Sequence, residues 1–132
     1  GYTTIYSALG NAIAFLLVNP GARGPFFEAI ENERSIQEML RLTGPVQALR
    51  RIALRDTVIG TELVRRDQLV TCLIGSANLD PATFPEPARF DPSRHNAHDH
   101  LAFGVGAHAC SGASMAATII GQSIRAIGSD LG

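Results

Sequence analysis

Residues 103–112 read F-G-V-G-A-H-A-C-S-G, so one of only two cysteines, Cys110, stands behind two glycines and a histidine. Gly104 and Gly106 can take positive φ, which permits a tight reversal whose amide hydrogens face the next side chains. The small residues after Cys110 read as the start of a helix. A sulfur there would lie at the positive end of the helix dipole, where thiolate is favoured over thiol. Such a thiolate is a natural iron ligand, and Gly112, Ala113 and Ala116 would let a flat macrocycle lie close against the helix. Thiolate ligation to haem donates electron density that favours O–O cleavage. His108, two residues before the sulfur, is suited to donate to a haem carboxylate. Without that chemistry, the same stretch reads as a glycine-rich turn before a buried cysteine.

A second metal chemistry competes. His95, His98, Asp99 and His100 cluster ahead of Cys110, so a zinc site of mixed nitrogen and sulfur ligands can be drawn. The spacing argues against it, because no Cys-x-x-Cys or His-x-x-x-His pair lies on a regular element. Cys72 sits in an apolar run without a companion motif and reads as a small buried hydrophobe. Two cysteines without secretory context imply no disulfide framework and fit a reducing, cytoplasmic compartment.

The surrounding chain of 132 residues is 45% hydrophobic with a formal net charge of −1, the composition of one soluble globular domain or part of one. Arg50, Arg51, Arg55, Arg65 and Arg66 are interrupted by Asp56 and Glu62 without aromatic interleaving, which argues against nucleic-acid binding. The uncharged run 1–18 is long enough to raise a membrane span, but Thr3, Thr4, Ser7, Gly10 and Asn11 favour a helix buried in protein.

Ile5, Leu9, Ala12, Ile13, Leu16 and Leu17 recur at helical spacing, and Asn19-Pro20-Gly21 is expected to stop that helix. Phe27, Ile30, Ile36, Met39 and Leu40 predict one or two further helices after a loop near Gly24-Pro25. Short strands and turns are expected over 48–77 and irregular, packed chain over 78–109, where Pro81, Pro85, Pro87 and Pro92 occur. A last helix is expected over 110–127. The fold class is mainly α with small β-sheets.

Phe103-Gly104-x-Gly106-x-His108-x-Cys110-x-Gly112 resembles the haem-binding signature of the cytochrome P450 superfamily at every defined position. Glu38-Met39-Leu40-Arg41 resembles the Glu-x-x-Arg element of the family's K helix, and Pro87-Ala88-Arg89-Phe90 the later element whose arginine joins that pair. Asn78-Leu79-Asp80-Pro81, Phe84-Pro85-Glu86-Pro87 and Phe90-Asp91-Pro92-Ser93-Arg94 resemble the stretch that bacterial members carry before the signature. Gly1-Tyr2-Thr3-Thr4 with Leu9-Gly10-Asn11 resembles half of the oxygen-binding I helix. The resemblance implies the C-terminal part of that fold: I-helix half at 1–19, K helix at 34–42, strands at 48–77, meander and haem loop at 78–109, L helix at 110–127.

The same resemblance implies haem b (iron protoporphyrin IX) bound by Phe103, Gly104, Gly106, His108, Cys110 and Gly112, with Cys110 the iron ligand. It puts a haem-propionate arginine at Arg51, beside Arg50, and leaves His100 and His108 as further propionate contacts; for His100 a plain surface histidine is the alternative. Glu38, Arg41 and Arg89 would be structural, a guanidinium and carboxylate fixing the ligand loop's scaffold. Against that stands Ser35-x-x-Glu38 read as a helix capping box, and Glu38–Arg41 read as an ordinary exposed helix pair. Thr4 takes the position of the threonine beside bound dioxygen, and Thr3 replaces the acid usual before it, so the common proton relay is altered. Ser111 and Met115 stand where many relatives carry leucine, and Ala117 where a basic residue is frequent.

The implied activity is a haem-thiolate monooxygenase acting with dioxygen on a small organic substrate. Electrons would come from ferredoxin and ferredoxin reductase or a similar donor, with no nucleic acid and no membrane involved. Family members are several times longer, so the chain is expected to be a C-terminal portion, inactive by itself. The alternatives are a truncated non-catalytic remnant and a small zinc-binding module.

Overall fold

The computed structural model describes residues 2–128. Gly1, which begins the I-helix resemblance, lies outside the described residues. Helix α1 (Tyr2–Val18) buries Ala8, Ala12 and Leu16, a four-residue repeat that makes one narrow stripe. It ends where the Asn19 amide and Asn19 Nδ2 both donate to the Phe15 carbonyl, at 3.0 and 2.9 Å. Asn19-Pro20-Gly21 does stop α1, but it also starts α2 (Pro20–Glu28). Proline lacks the N–H that a first helical position leaves unpaired anyway. The two helices meet at a 117° bend, and no single described helix is long and apolar enough to cross a membrane.

Helix α3 (Glu33–Thr43) starts at Asn32, whose side chain accepts from the Arg34 amide at 3.0 Å. The cap is therefore Asn32 and not Ser35, which lies fully buried inside the helix. Glu38 is accordingly in the helix interior, so the capping-box reading fails. The Gly44 amide closes the helix on the Leu40 carbonyl at 2.8 Å, and Pro45 follows. Asn11 of α1 donates from Nδ2 to the Thr43 carbonyl at 3.0 Å, which ties the end of α3 to the middle of α1.

Two antiparallel pairs follow. Strand β1 (Leu49–Ile52) pairs with β4 (Leu69–Cys72) in the register Leu49 to Cys72. Between them β2 (Thr57–Ile59) and β3 (Glu62–Val64) form a hairpin, with Gly60 at φ +62° in its turn. Cys72 is exposed on β4, so the buried-hydrophobe reading is corrected: a two-stranded ladder leaves its faces open. A short helix α4 (Ile74–Ala77) takes over the end of the apolar run read as strand. Residues 78–109 are irregular apart from single turns at Ala97–Asp99 and Gly106–His108.

The last helix, α5 (Ala113–Gly128), returns to the first three. Ala8, Ala12, Leu16, Phe26, Ile36, Met39, Leu40, Ala117, Ile120 and Ile124 make one core. Phe90 from the irregular segment reaches it, with ring centres 6.2 Å from Phe15 and 5.9 Å from Phe26. Gly121 lets α5 lie against α3, since a Cβ there would come within 3.2 Å of Ile36 Cδ1. The architecture is mainly α with two small sheets, as the composition and periodicity imply.

Candidate thiolate ligand loop and its buried support

Local hydrogen bonds shape the loop that carries Cys110. The Gly104 amide donates to the Leu101 carbonyl at 2.9 Å, and the Cys110 amide to the Phe103 carbonyl at 2.8 Å, so residues 103 and 110 are held side by side. Gly104 and Gly106 adopt φ +69° and +74°, the left-handed region in which a side chain would be strained. Helix α5 begins at Ala113, three residues after the cysteine, which corrects the expectation that it starts at Cys110. Ser111-Gly112 form a turn instead, with the Ala113 amide reaching back to the Cys110 carbonyl at 3.3 Å, and the Ala116 amide reaches the Gly112 carbonyl at 2.8 Å as the helix begins.

The thiol itself is exposed, which answers the buried-cysteine alternative. A Cβ at Gly112 would lie 4.0 Å from Cys110 Sγ, so glycine keeps that flank of the sulfur bare. Among the described residues no three His, Cys, Asp or Glu side chains gather to hold a metal ion. The donor set is a single accessible sulfur beside a stripped backbone. It fits a group that brings its own in-plane ligands, as haem does, and does not fit a tetrahedral zinc site.

Beneath the loop lies a buried ion cluster. Arg41 grips Glu38 with two parallel bonds, Nε to Oε2 at 2.8 Å and Nη2 to Oε1 at 2.9 Å, and both side chains are inaccessible. Such a bidentate pair is geometrically specific. The exposed-pair reading of Glu38 and Arg41 is thereby set aside. Glu38 Oε1 also accepts from Arg94 Nε at 3.0 Å and the Asp91 amide at 3.2 Å. Arg41 also donates from Nη1 to the Asn78 carbonyl at 2.6 Å and stacks over Phe84, 4.9 Å from the ring centre.

Arg94 is the arginine that joins the pair, and Arg89 is not. Arg89 is exposed and pairs with Glu86 at 2.9 Å on the surface. Its carbonyl, with those of Pro85 and Glu86, instead accepts from the Arg94 guanidinium at 2.9 to 3.4 Å. The chain reverses at Asp91, whose Oδ1 accepts from both the amide and the hydroxyl of Ser93, at 2.9 and 2.7 Å. That reversal aims Arg94 inward. The Ser93 hydroxyl also holds the Asp91 carboxyl below its usual range. Sequence reasoning missed Arg94; the Asp-Pro-Ser turn before it was the available signal.

His100 is also corrected. It is buried, its Nε2 lies 2.9 Å from Gln37 Oε1, and its Nδ1 accepts from the Ala102 amide at 3.1 Å. With both ring nitrogens engaged, it is neither a surface histidine nor free to meet a propionate. Burial pushes its pKa down to about 4. His108 is exposed in the turn Gly106–His108, and Phe103 is half-buried, its ring centre 5.9 Å from that of His100.

Thr3 and Thr4 are exposed in the first turn of α1. Arg51 is exposed on β1 and donates from Nη1 to the Arg50 carbonyl at 2.9 Å.

Known proteins are similar to this chain in sequence and fold. The family model described as Cytochrome P450 matches residues 33–126. A Mycobacterium tuberculosis protein assigned as cytochrome P450 140 is 40% identical over 117 residues, 88% of this chain and 27% of the relative. Cytochrome P450 165C4 of Amycolatopsis orientalis is 35% identical over 129 residues, 96% of this chain and 32% of the relative. The crystal structure of CYP109B1 from Bacillus subtilis superposes with a TM-score of 0.86 at 35% identity, over 96% of this chain and 35% of that one. The chain thus spans roughly a third or less of the length of these curated relatives.

Proposed function

The chain belongs to the cytochrome P450 family, and from that premise we propose that it forms the ligand-bearing part of a haem-thiolate monooxygenase that oxidises a small organic substrate. The observation that carries this reading is the accessible sulfur of Cys110 on a loop closed by its own amide onto Phe103. Haem b with a thiolate ligand supplies activation of dioxygen for O–O cleavage.

The residues of this chain then divide the work. Cys110 Sγ would hold the iron, Gly112 keeps a side chain off that flank of the sulfur, and Gly104 and Gly106 supply the positive-φ turn that presents it. The exposed His108 and Arg51 would meet the haem carboxylates, which a guanidinium can take with two parallel donors. Phe103 supports the loop from its half-buried position. On α1 the Thr4 hydroxyl handles protons in the oxygen pocket; Thr3, in place of an acid, can pass a proton through Oγ1 but cannot act as an ionised reservoir. Glu38, Arg41 and Arg94 hold the scaffold and touch neither substrate nor haem. Electrons arrive from a ferredoxin and its reductase, and the enzyme works in the cytoplasm, without membrane or nucleic acid.

Iron and pigment analysis of the purified protein tests this. Equal amounts of iron and extractable haem b are expected, with ferredoxin-dependent consumption of dioxygen when a substrate is present. A protein that holds zinc, or that refuses haem when supplied with it, contradicts the proposal. Haem bound without any turnover would favour the non-catalytic remnant.

A further inference from the structure

We propose that Asn78 is a positioning residue for the thiolate, linking the buried Glu38–Arg41–Arg94 cluster to the loop that carries Cys110. Asn78 is 3% exposed and stands just after α4, yet it makes three contacts with two distant segments. Its carbonyl accepts from Arg41 Nη1 at 2.6 Å, and its Nδ2 donates to the Arg41 carbonyl at 3.3 Å. Its Oδ1 accepts from the Leu101 amide at 2.8 Å. The Leu101 carbonyl in turn receives the Gly104 amide, and the Phe103 carbonyl receives the Cys110 amide.

Hydrogen bonds therefore run stepwise from the Glu38 carboxylate through Arg41, Asn78 and residues 101–104 to the cysteine's own backbone. Only one side chain in that run joins the cluster to the loop. A second attachment flanks it on the same side: His100 bonds Gln37 of α3, and its Nδ1 takes the Ala102 amide. Asn78 fixes the register of Leu101, His100 fixes Ala102, and the turn at Gly104 starts from these two points. The Oδ1 acceptor carries the tie to the loop, and a shorter side chain leaves the Leu101 amide unpaired at a half-buried position.

This inference rests on Cys110 being the haem ligand, and its test separates the two. The reduced, carbon-monoxide-bound spectrum is recorded for haem-loaded wild type, Asn78→Ala, Asn78→Asp and the core variant Ile120→Val, all well below their unfolding temperatures. Asn78→Ala is expected to shift absorbance from the thiolate-type band to the blue-shifted band of a lost or protonated thiolate. Its haem should also dissociate about tenfold faster, the usual scale for removing a ligand's outer support. Asn78→Asp keeps an acceptor for Leu101 and should retain most of the thiolate band. Ile120→Val, a core change that removes no hydrogen bond of this run, should lower the unfolding temperature without changing the band. If Asn78→Ala fails to fold, Asn78→Ser is read in its place, since its hydroxyl is too short to reach Leu101. A wild-type band in the folded Ala or Ser variant, or an equal loss in Ile120→Val, overturns the inference. Absence of the thiolate band from wild type would instead overturn the proposed function.

Discussion

Glu38 and Arg94, 56 residues apart, meet through a 3.0 Å hydrogen bond between two buried side chains. Removing one member of a buried ion pair strands the other in a medium that cannot solvate it. Glu38→Gln is therefore expected to cost about 3–5 kcal/mol of stability. Arg94→Ala should be comparable, whereas Arg89→Ala should stay within about 0.5 kcal/mol because its pair with Glu86 is solvated. Urea unfolding midpoints of the three variants decide the ranking. Equal losses for Arg89 and Arg94 would contradict the assignment.

Gly44, which caps α3, lies close against Ala102 in the segment before the ligand loop. A Cβ there would stand 2.9 Å from the Leu40 carbonyl oxygen and 3.0 Å from Ala102 Cβ. Gly44→Ala should accordingly destabilise by about 1–3 kcal/mol, the scale of overpacking in a tight core. Gly21→Ala, in α2 with nothing within 4 Å of the added carbon, should do the reverse by about 0.5 kcal/mol. Thermal melts of both variants test the opposite signs.

His100 makes stability depend on pH. Its ring is depressed to about 4 mainly by burial, with His98 and Arg41 adding repulsion and Glu38 opposing them. Well above pH 6.5 the ring is neutral in folded and unfolded chains alike. As pH falls from there toward about 4, the unfolded chain binds a proton that the folded chain resists, so stability falls, by on the order of 3 kcal/mol in full. Urea midpoints measured across this range should decline in wild type and decline less in His100→Gln. An unchanged slope in the variant would mean that another group carries the effect.

The ligand loop was legible in the sequence because tight geometry leaves few residue choices: two positive-φ positions demand glycine, and their spacing to a lone cysteine is short. Glu38 and Arg41 were legible for the same local reason, lying three apart on one helix. Arg94 was not. Arg89 and Arg94 are five residues apart, and which one turns inward depends on the reversal at Asp91 and on three carbonyls brought together by it. Helix α2 was missed because Asn19-Pro20-Gly21 reads as a stop, whereas in the fold it ends α1 and also begins α2, which carries Phe26 against Phe90. Proximity to the ligand in sequence made His100 look like a propionate contact. Burial against Gln37, 63 residues away, is a tertiary fact.

The proposed chemistry depends on the sulfur of Cys110. The most direct measurement is the absorption spectrum of the reduced, carbon-monoxide-bound protein, compared between wild type and Cys110→Ala. A red-shifted Soret band characteristic of thiolate ligation is expected in wild type and should be absent from the variant. The same band persisting in Cys110→Ala would contradict the assignment.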